Sequence, residues 1–327
     1  MRKKLLLYLF VSVFLFVSFS CKAPRNNIFD PLNPDYNFGT IEGYVQTIGF
    51  PSTRIPSVSV IWQNANLITE TDANGWFRLS NIPIENGNLV FTKEGYKPDT
   101  LEVIWGEAKS FFTQVFFNRL PTLDSSVIYT SVINQAVLQP ITNLSVKAWI
   151  TDLDDDIDTV YVISDNLKLK KSLNYFQNEG NYQTVVTSAE MGGNSIEETI
   201  GNDFSIMVKD DFDNKFVIGY NRVTRIIKDE ITGLYPSGDT TISISSQPLT
   251  LKWNKFNEGF SFSYLIELYR REDLSSQLIH TEEDISSENT SYTLPFNLPA
   301  GNYYWTIWVV DKFQNRSRSK PVLFKIN

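Results

Sequence analysis

Phe204-Ser205-Ile206-Met207-Val208-Lys209-Asp210-Asp211-Phe212-Asp213-Asn214 and Trp305-Thr306-Ile307-Trp308-Val309-Val310-Asp311-Lys312-Phe313-Gln314-Asn315 are two copies of one pattern. An aromatic residue, an isoleucine and a valine recur at every second position, and an Asp-x-Phe-x-Asn end follows. Every matched pair lies 101 residues apart, and Gly201-Asn202 and Gly301-Asn302 precede the two copies at nearly the same offset. A period of two belongs to a strand with one buried face. It turns Phe204, Ile206 and Val208 inward, and likewise Trp305, Ile307 and Val309. The Asp-x-Phe-x-Asn end is then the hairpin turn leading to a last strand. A repeat of about 100 residues made of such strands suits two β-sandwich domains in series.

Working outward from the second copy, Leu249-Thr250-Leu251-Lys252-Trp253 reads as a strand with a core tryptophan, and Tyr264-Leu265-Ile266-Glu267-Leu268-Tyr269 as the next. With Tyr292-Thr293-Leu294 and Leu298-Pro299-Ala300-Gly301 they make 240–327 resemble a fibronectin type III domain, whose corner tyrosine would be Tyr303 or Tyr304, the inward face favouring Tyr303. Residues 120–229 resemble bacterial Ig-like domains. The Gly, Ser and Thr of 228–247 suit the connection between the two.

Upstream, short β-type runs begin at Gly39. Asp72-Ala73-Asn74-Gly75 marks a turn, with Phe77 and Leu79 on one face of the strand after it. Gly43, Pro56, Val58, Val60, Thr71, Asp72, Gly75, Phe77, Leu79, Ile82, Gly95 and Tyr96 carry a resemblance to carboxypeptidase regulatory-like domains over 39–118. That resemblance implies a transthyretin-like sandwich and an accessory module without catalytic residues. The expected fold class is therefore all-β, with three β-sandwich domains in series: one transthyretin-like, then two of Ig or fibronectin type III type.

The chain opens differently. Met1-Arg2-Lys3-Lys4 is a positive n-region, Leu5 through Ser20 is nearly unbroken apolar sequence, and Cys21 is the only cysteine. Residues 1–21 resemble a bacterial lipoprotein signal, which implies cleavage after Ser20 and lipidation of Cys21. Two alternatives stay open. An uncleaved anchor would need roughly 20 apolar residues, more than this run provides. A plain secretory peptide would leave an odd free thiol in an exported protein. Residues 21–38, rich in Pro, Asn and Asp, read as a tether, with Phe29 and Tyr36 able to dock on the first domain. Lys22 differs from the Asp that often marks inner-membrane retention, so the expected location is the outer membrane of the cell envelope.

The formal net charge of −8 argues against nucleic acid or bare anionic lipid as a partner, and loss of Arg2, Lys3 and Lys4 with the signal makes the chain more acidic. Once Cys21 is used no disulfide is available, so the cores must hold by burial, and a 42% hydrophobic composition supplies the area. Catalytic material is thin. His280, the only histidine, reads as a solvated strand residue, and His- or Cys-rich zinc sites are excluded. No catalytic residue is assigned. A glycan hydrolase built on paired carboxylates is the enzymatic alternative.

Asp152, Asp154, Asp155, Asp156 and Asp158 place five carboxylates within seven residues. Clustered carboxylates suit a hard cation, so Asp152, Asp154, Asp156 and Asp158 are candidate calcium ligands against the plainer reading of a solvated turn. An EF-hand fails, because Ile157 and Ile163 stand where Gly and Glu are needed. Asp210, Asp211 and Asp213 form a second acidic group, with no requirement that the two meet. A sugar-stacking surface is a further candidate: Trp149 and Trp308 lie opposite the inward sets of their strands, which favours their exposure. Taken together, the residues lead to an expected lipid-anchored envelope protein with a non-enzymatic binding or scaffolding role. Its partner beyond the membrane would be an envelope protein or a glycan.

Overall fold

In the computed structural model, the residues described are 27–327 apart from 29, 31, 34, 192–194, 239 and 273. Cys21, the signal and Phe29 lie outside them. The fold is all-β, and no helix among the described residues is long and apolar enough to cross a membrane. Two compact units divide at Arg119 and Leu120.

The first unit holds β1 (Phe38–Thr47), β2 (Ser59–Trp62), β3 (Leu67–Glu70), β4 (Trp76–Pro83), β5 (Gly87–Thr92), β6 (Asp99–Val103) and β7 (Ser110–Phe117). They form two sheets, β4-β1-β7 and β3-β2-β5-β6. Alternation in β1 buries Ile41 and Val45, which meet Trp62, Phe77, Phe91 and Phe117 in one core. Gly43 sits on that buried face because a Cβ there would fall 2.0 Å from the Thr113 carbonyl oxygen. Thr71, also buried, ties three segments: its hydroxyl donates to the Ile55 carbonyl and accepts from the Val58 N–H. Asp72 caps the turn by accepting from the Asn74 and Trp76 N–H groups, and Gly75 supplies a φ of +70°. At the tether end, Lys109 Nζ donates to the Tyr36 carbonyl, and the Tyr36 ring packs on Phe38.

The second unit continues with β8 (Thr122–Ile133), β9 (Ile141–Thr151), β10 (Ile157–Ser164), β11 (Leu169–Phe176), β12 (Asn181–Thr187), β13 (Asp203–Asp210) and β14 (Lys215–Arg222). After them come β15 (Thr241–Ile242), β16 (Thr250–Lys252), β17 (Phe262–Arg271), β18 (Ser276–Ser286), β19 (Ser291–Thr293), β20 (Gly301–Asp311), β21 (Arg316–Arg318) and β22 (Val322–Ile326). Two hydrophobic cores form. Phe204, Ile206 and Val208 belong to one, and Trp305, Ile307 and Val309 to the other, as the repeat requires. Tyr303 is the corner residue, its hydroxyl donating to the Pro299 carbonyl at 2.8 Å. One hydrogen-bonded path runs β14-β13-β10-β11-β12-β9-β8-β21-β20-β17-β18, and the crossing from one core to the other is the parallel pairing of β8 with β21.

Candidate functional site

The Asp-x-Phe-x-Asn ends close both hairpins by the same chemistry. Asp210 Oδ1 accepts from the Phe212 and Asn214 N–H groups, and Asn214 Nδ2 donates to Asp210 Oδ2 at 2.7 Å. Asp311 Oδ1 accepts from the Phe313 and Asn315 N–H groups, and Asn315 Nδ2 reaches Asp311 Oδ2 at 3.2 Å. A carboxylate that satisfies two turn amides removes the cost of burying them.

The second hairpin is also the joint between the two cores of the unit. Asn315 Oδ1 accepts from the Thr130 N–H at 2.9 Å, and its Nδ2 donates to Thr224 Oγ1 at 3.0 Å. Arg225 pairs with Asp311 at 3.1 Å, and its guanidinium lies 4.3 Å above the Phe260 ring. Thr130 and Asn315 are fully buried, and Asp311 nearly so. Sequence reading missed this knot. Thr130 and Thr224 carry no pattern of their own, and only the Asn-to-Asn repeat hinted that Asn315 was structural.

The first hairpin meets carboxylates instead. Antiparallel pairing of β10 with β13 sets Ile157 opposite Asp210, which carries the loop before β10 onto the hairpin. The Asp211 N–H donates to the Asp156 carbonyl at 2.9 Å. The two acidic groups therefore meet, contrary to the expectation that they need not. Within the loop, Asp152 accepts from the Asp154 and Asp156 N–H groups, and Asp155 takes a φ of +55°. Asp156 is buried. Burial first, then Asp152, Asp210, Asp154 and Asp211, pushes its carboxyl up to about 6.

Asp158 behaves differently. Lys209 hydrogen-bonds it at 2.8 Å and holds its carboxyl below the usual range, with help from Thr159. Lys209 also pairs with Asp213. Of the four candidate calcium ligands, Asp152, Asp154 and Asp156 thus gather with Asp210, while Asp158 is neutralised by a lysine. Among the described residues no three acidic, His or Cys side chains stand in an arrangement able to hold a metal ion.

Beside the loop lies an open groove of about 650 Å³, lined by Asp152, Asp155, Asp158, Asn174, Tyr175 and Tyr182 among others. Tyr175 and Tyr182 pack ring to ring at 4.9 Å. Burial, then Tyr175, Asp152 and Asp155, pushes the Tyr182 phenol up. Asp156, the buried carboxyl with the raised value, is not among the residues that line the groove, although its neighbours Asp155 and Ile157 are. His280 is half-buried rather than solvated: it contacts Tyr292 Oη at 3.1 Å, and that hydroxyl donates to Glu282. The ring makes a structural contact on β18.

The tryptophans also depart from expectation. Trp308 is buried, its indole N–H on Glu267 and its ring beneath Arg316 and Arg318, and Trp149 is half-buried. Facing away from the core did not leave Trp308 exposed, because β21 and its arginines cover that face. Trp76, on β4, points outward instead.

No protein-family model matches the sequence, and neither does any curated protein. Solved structures similar to the chain include the FN1–FN3 domains of chicken CNTN1, at 9% identity and a TM-score of 0.33, with 84% of this chain and 93% of that one covered. The fibronectin(III)-like modules of Clostridium thermocellum CbhA align at 13% identity and a TM-score of 0.29, over 63% and 93%. BcpA, the major pilin subunit of Bacillus cereus, aligns at 12% identity and a TM-score of 0.23, over 88% and 95%. At TM-scores this far below 0.5 none of these likenesses carries an argument about this chain.

Proposed function

We propose that this chain is a lipoprotein of the cell envelope, anchored through Cys21, that presents a carboxypeptidase regulatory-like module and two Ig or fibronectin type III-like modules as a non-enzymatic scaffold. The buried knot of Asn315, Asp311, Thr130 and Arg225 carries the reading. A flexible string of domains has no use for buried interdomain hydrogen bonds, whereas a stiff spacer does. Support for a non-enzymatic role comes from the single histidine, which is half-buried against Tyr292. Recognition would then come from faces and loops held on rigid sandwiches.

Two measurements test the proposal on the full chain expressed in a bacterium with an outer membrane. Radiolabelled palmitate should enter the wild type and not the Cys21→Ala variant, and the wild type should fractionate with the outer membrane. Label persisting in Cys21→Ala removes the anchor. Release of sugar from envelope polysaccharide by the purified chain would remove the non-enzymatic role.

A further inference from the structure

The first sandwich turns one face of its β4-β1-β7 sheet outward, and the pairing register fixes what stands there. Trp76 on β4, Tyr44 on β1 and Gln114 on β7 form one row across the sheet. Phe112 stands one outward position along β7, and Gln46, bridged to Arg54, stands one along β1. The Tyr44 and Trp76 rings lie 4.7 Å apart, Phe112 lies 6.2 Å from Tyr44, and the Arg54 guanidinium sits 4.0 Å above the Tyr44 ring. Phe112 is 56% exposed, and Arg54 and Gln114 are exposed too.

Three features separate this face from a core that lacks a cover. Its outward positions hold rings, amides and charges, with no leucine, isoleucine or valine among those just named. Among the described residues the indole N–H of Trp76 and the side-chain amides of Gln46 and Gln114 have no hydrogen-bond partner, so donors and acceptors stand free between the rings. Arg54 forms no ion pair, while the neighbouring Arg78 is offset by Glu42 at 3.7 Å. A pyranose needs this combination: its C–H face packs on aromatic rings while planar amides and guanidinium groups take its hydroxyls. The unpaired cation, on a chain of net charge −8, selects a sugar bearing an acid.

We propose that the Trp76–Tyr44–Phe112 face binds an acidic polysaccharide, with the rings stacking on sugars and Arg54 holding a carboxylate. This deepens the scaffold reading above by giving the scaffold a ligand, and it rests on that reading being non-enzymatic. Affinity gel electrophoresis of the chain beginning after Lys22 tests it, with alginate, polygalacturonate and hyaluronan as acidic probes and a neutral β-glucan as control. Retardation is expected in at least one acidic gel and not in the neutral one. Loss of one stacking ring or of the cation is worth about 1.4 kcal/mol, so Trp76→Ala and Arg54→Ala should each weaken retardation about tenfold. Phe112→Ser, at an exposed position, should weaken it as well without lowering the melting temperature.

Retardation in none of the acidic gels overturns the proposal. So does retardation that survives both Trp76→Ala and Arg54→Ala, and so does capture of an envelope protein that depends on this face. Membrane fractionation of the same substitutions in the full chain, which keeps Cys21, holds the two readings apart: a chain still lipidated and outer-membrane bound, yet blind to every polysaccharide, loses only the glycan site.

Discussion

The hairpins at Asp210–Asn214 and Asp311–Asn315 share one carboxylate, one amide and the same bonds, yet their surroundings differ in sign. Asp311 meets Arg225 and an asparagine that also holds Thr130 and Thr224, so its charge is compensated and its hairpin is clamped. Asp210 meets Asp156 and its acidic neighbours, so charge accumulates. A buried carboxylate is neutralised by a cation, by a proton or by exposure. The hairpin of the second core takes Arg225 from the segment that follows β14. The hairpin of the first core leaves Asp156 close to taking a proton. One motif therefore serves as a weld in one place and as part of a buried acidic cluster in the other.

Breaking the weld should have the largest effect. Asn315→Ala removes the acceptor for the Thr130 N–H and the donor to Asp311 Oδ2, leaving a fully buried N–H unpaired and a nearly buried carboxylate short of one donor, while exposed Thr224 turns to water. Each such group costs about 1–3 kcal/mol, so a loss of roughly 3 kcal/mol is expected. Calorimetry should show one melting transition for the Leu120–Asn327 unit in the wild type and two in the variant. A single transition shifted by a degree or less would mean that the joint does not couple the domains.

The acidic end gives the next effect, through pH. The Asp156 carboxyl is about 6 when folded, against 3.8 for an ordinary aspartate, so ionising it opposes folding. From this group alone, stability is therefore highest below about pH 4 and falls as pH rises to about 6, by about 2 kcal/mol once solvent screening is allowed for. Glu190 and Glu197 have the opposite sign. Lys171 and Lys228 hold their carboxyls at about 2, so their contribution is lost only as pH drops below the ordinary glutamate range. The interval from pH 4.5 to 6 thus reports on Asp156. Asp156→Asn should flatten the melting temperature across it and raise stability at pH 7. Added calcium chloride that flattened the wild-type curve in the same way would mark the cluster as a cation site.

Sequence carried the parts of this comparison that depend on local periodicity. Alternation placed Phe204, Ile206 and Val208, and Trp305, Ile307 and Val309, on buried faces, and all six are buried. Asp-x-Phe-x-Asn was legible as a turn, since short polar side chains bonding backbone two and four residues on are a local property. What each turn faces was not legible. Thr130 reaches Asn315 across 185 residues, through a parallel pairing of β8 and β21 that no local pattern announces. The acidic loop met the hairpin through the register of β10 on β13, a consequence of pairing rather than of composition. The same limit explains Trp308: period two says which way a ring points, and the strand beside it decides whether water reaches it.

The smallest effect is the one that isolates the motif from its surroundings. Asn214→Ala is the middle-domain counterpart of Asn315→Ala, and among the bonds just described it removes only the 2.7 Å contact to Asp210 Oδ2, while the two turn amides keep Asp210 Oδ1. An intramolecular hydrogen bond to a charged acceptor contributes about 1.5 kcal/mol, so the loss should be near that and about half of that at Asn315. Both variants are best compared at pH 7 and at pH 5, on either side of the value that Asp156 takes. Equal losses from the two asparagine variants, measured by chemical denaturation at both pH values, would place the work of the motif in the turn itself and leave the joint with none.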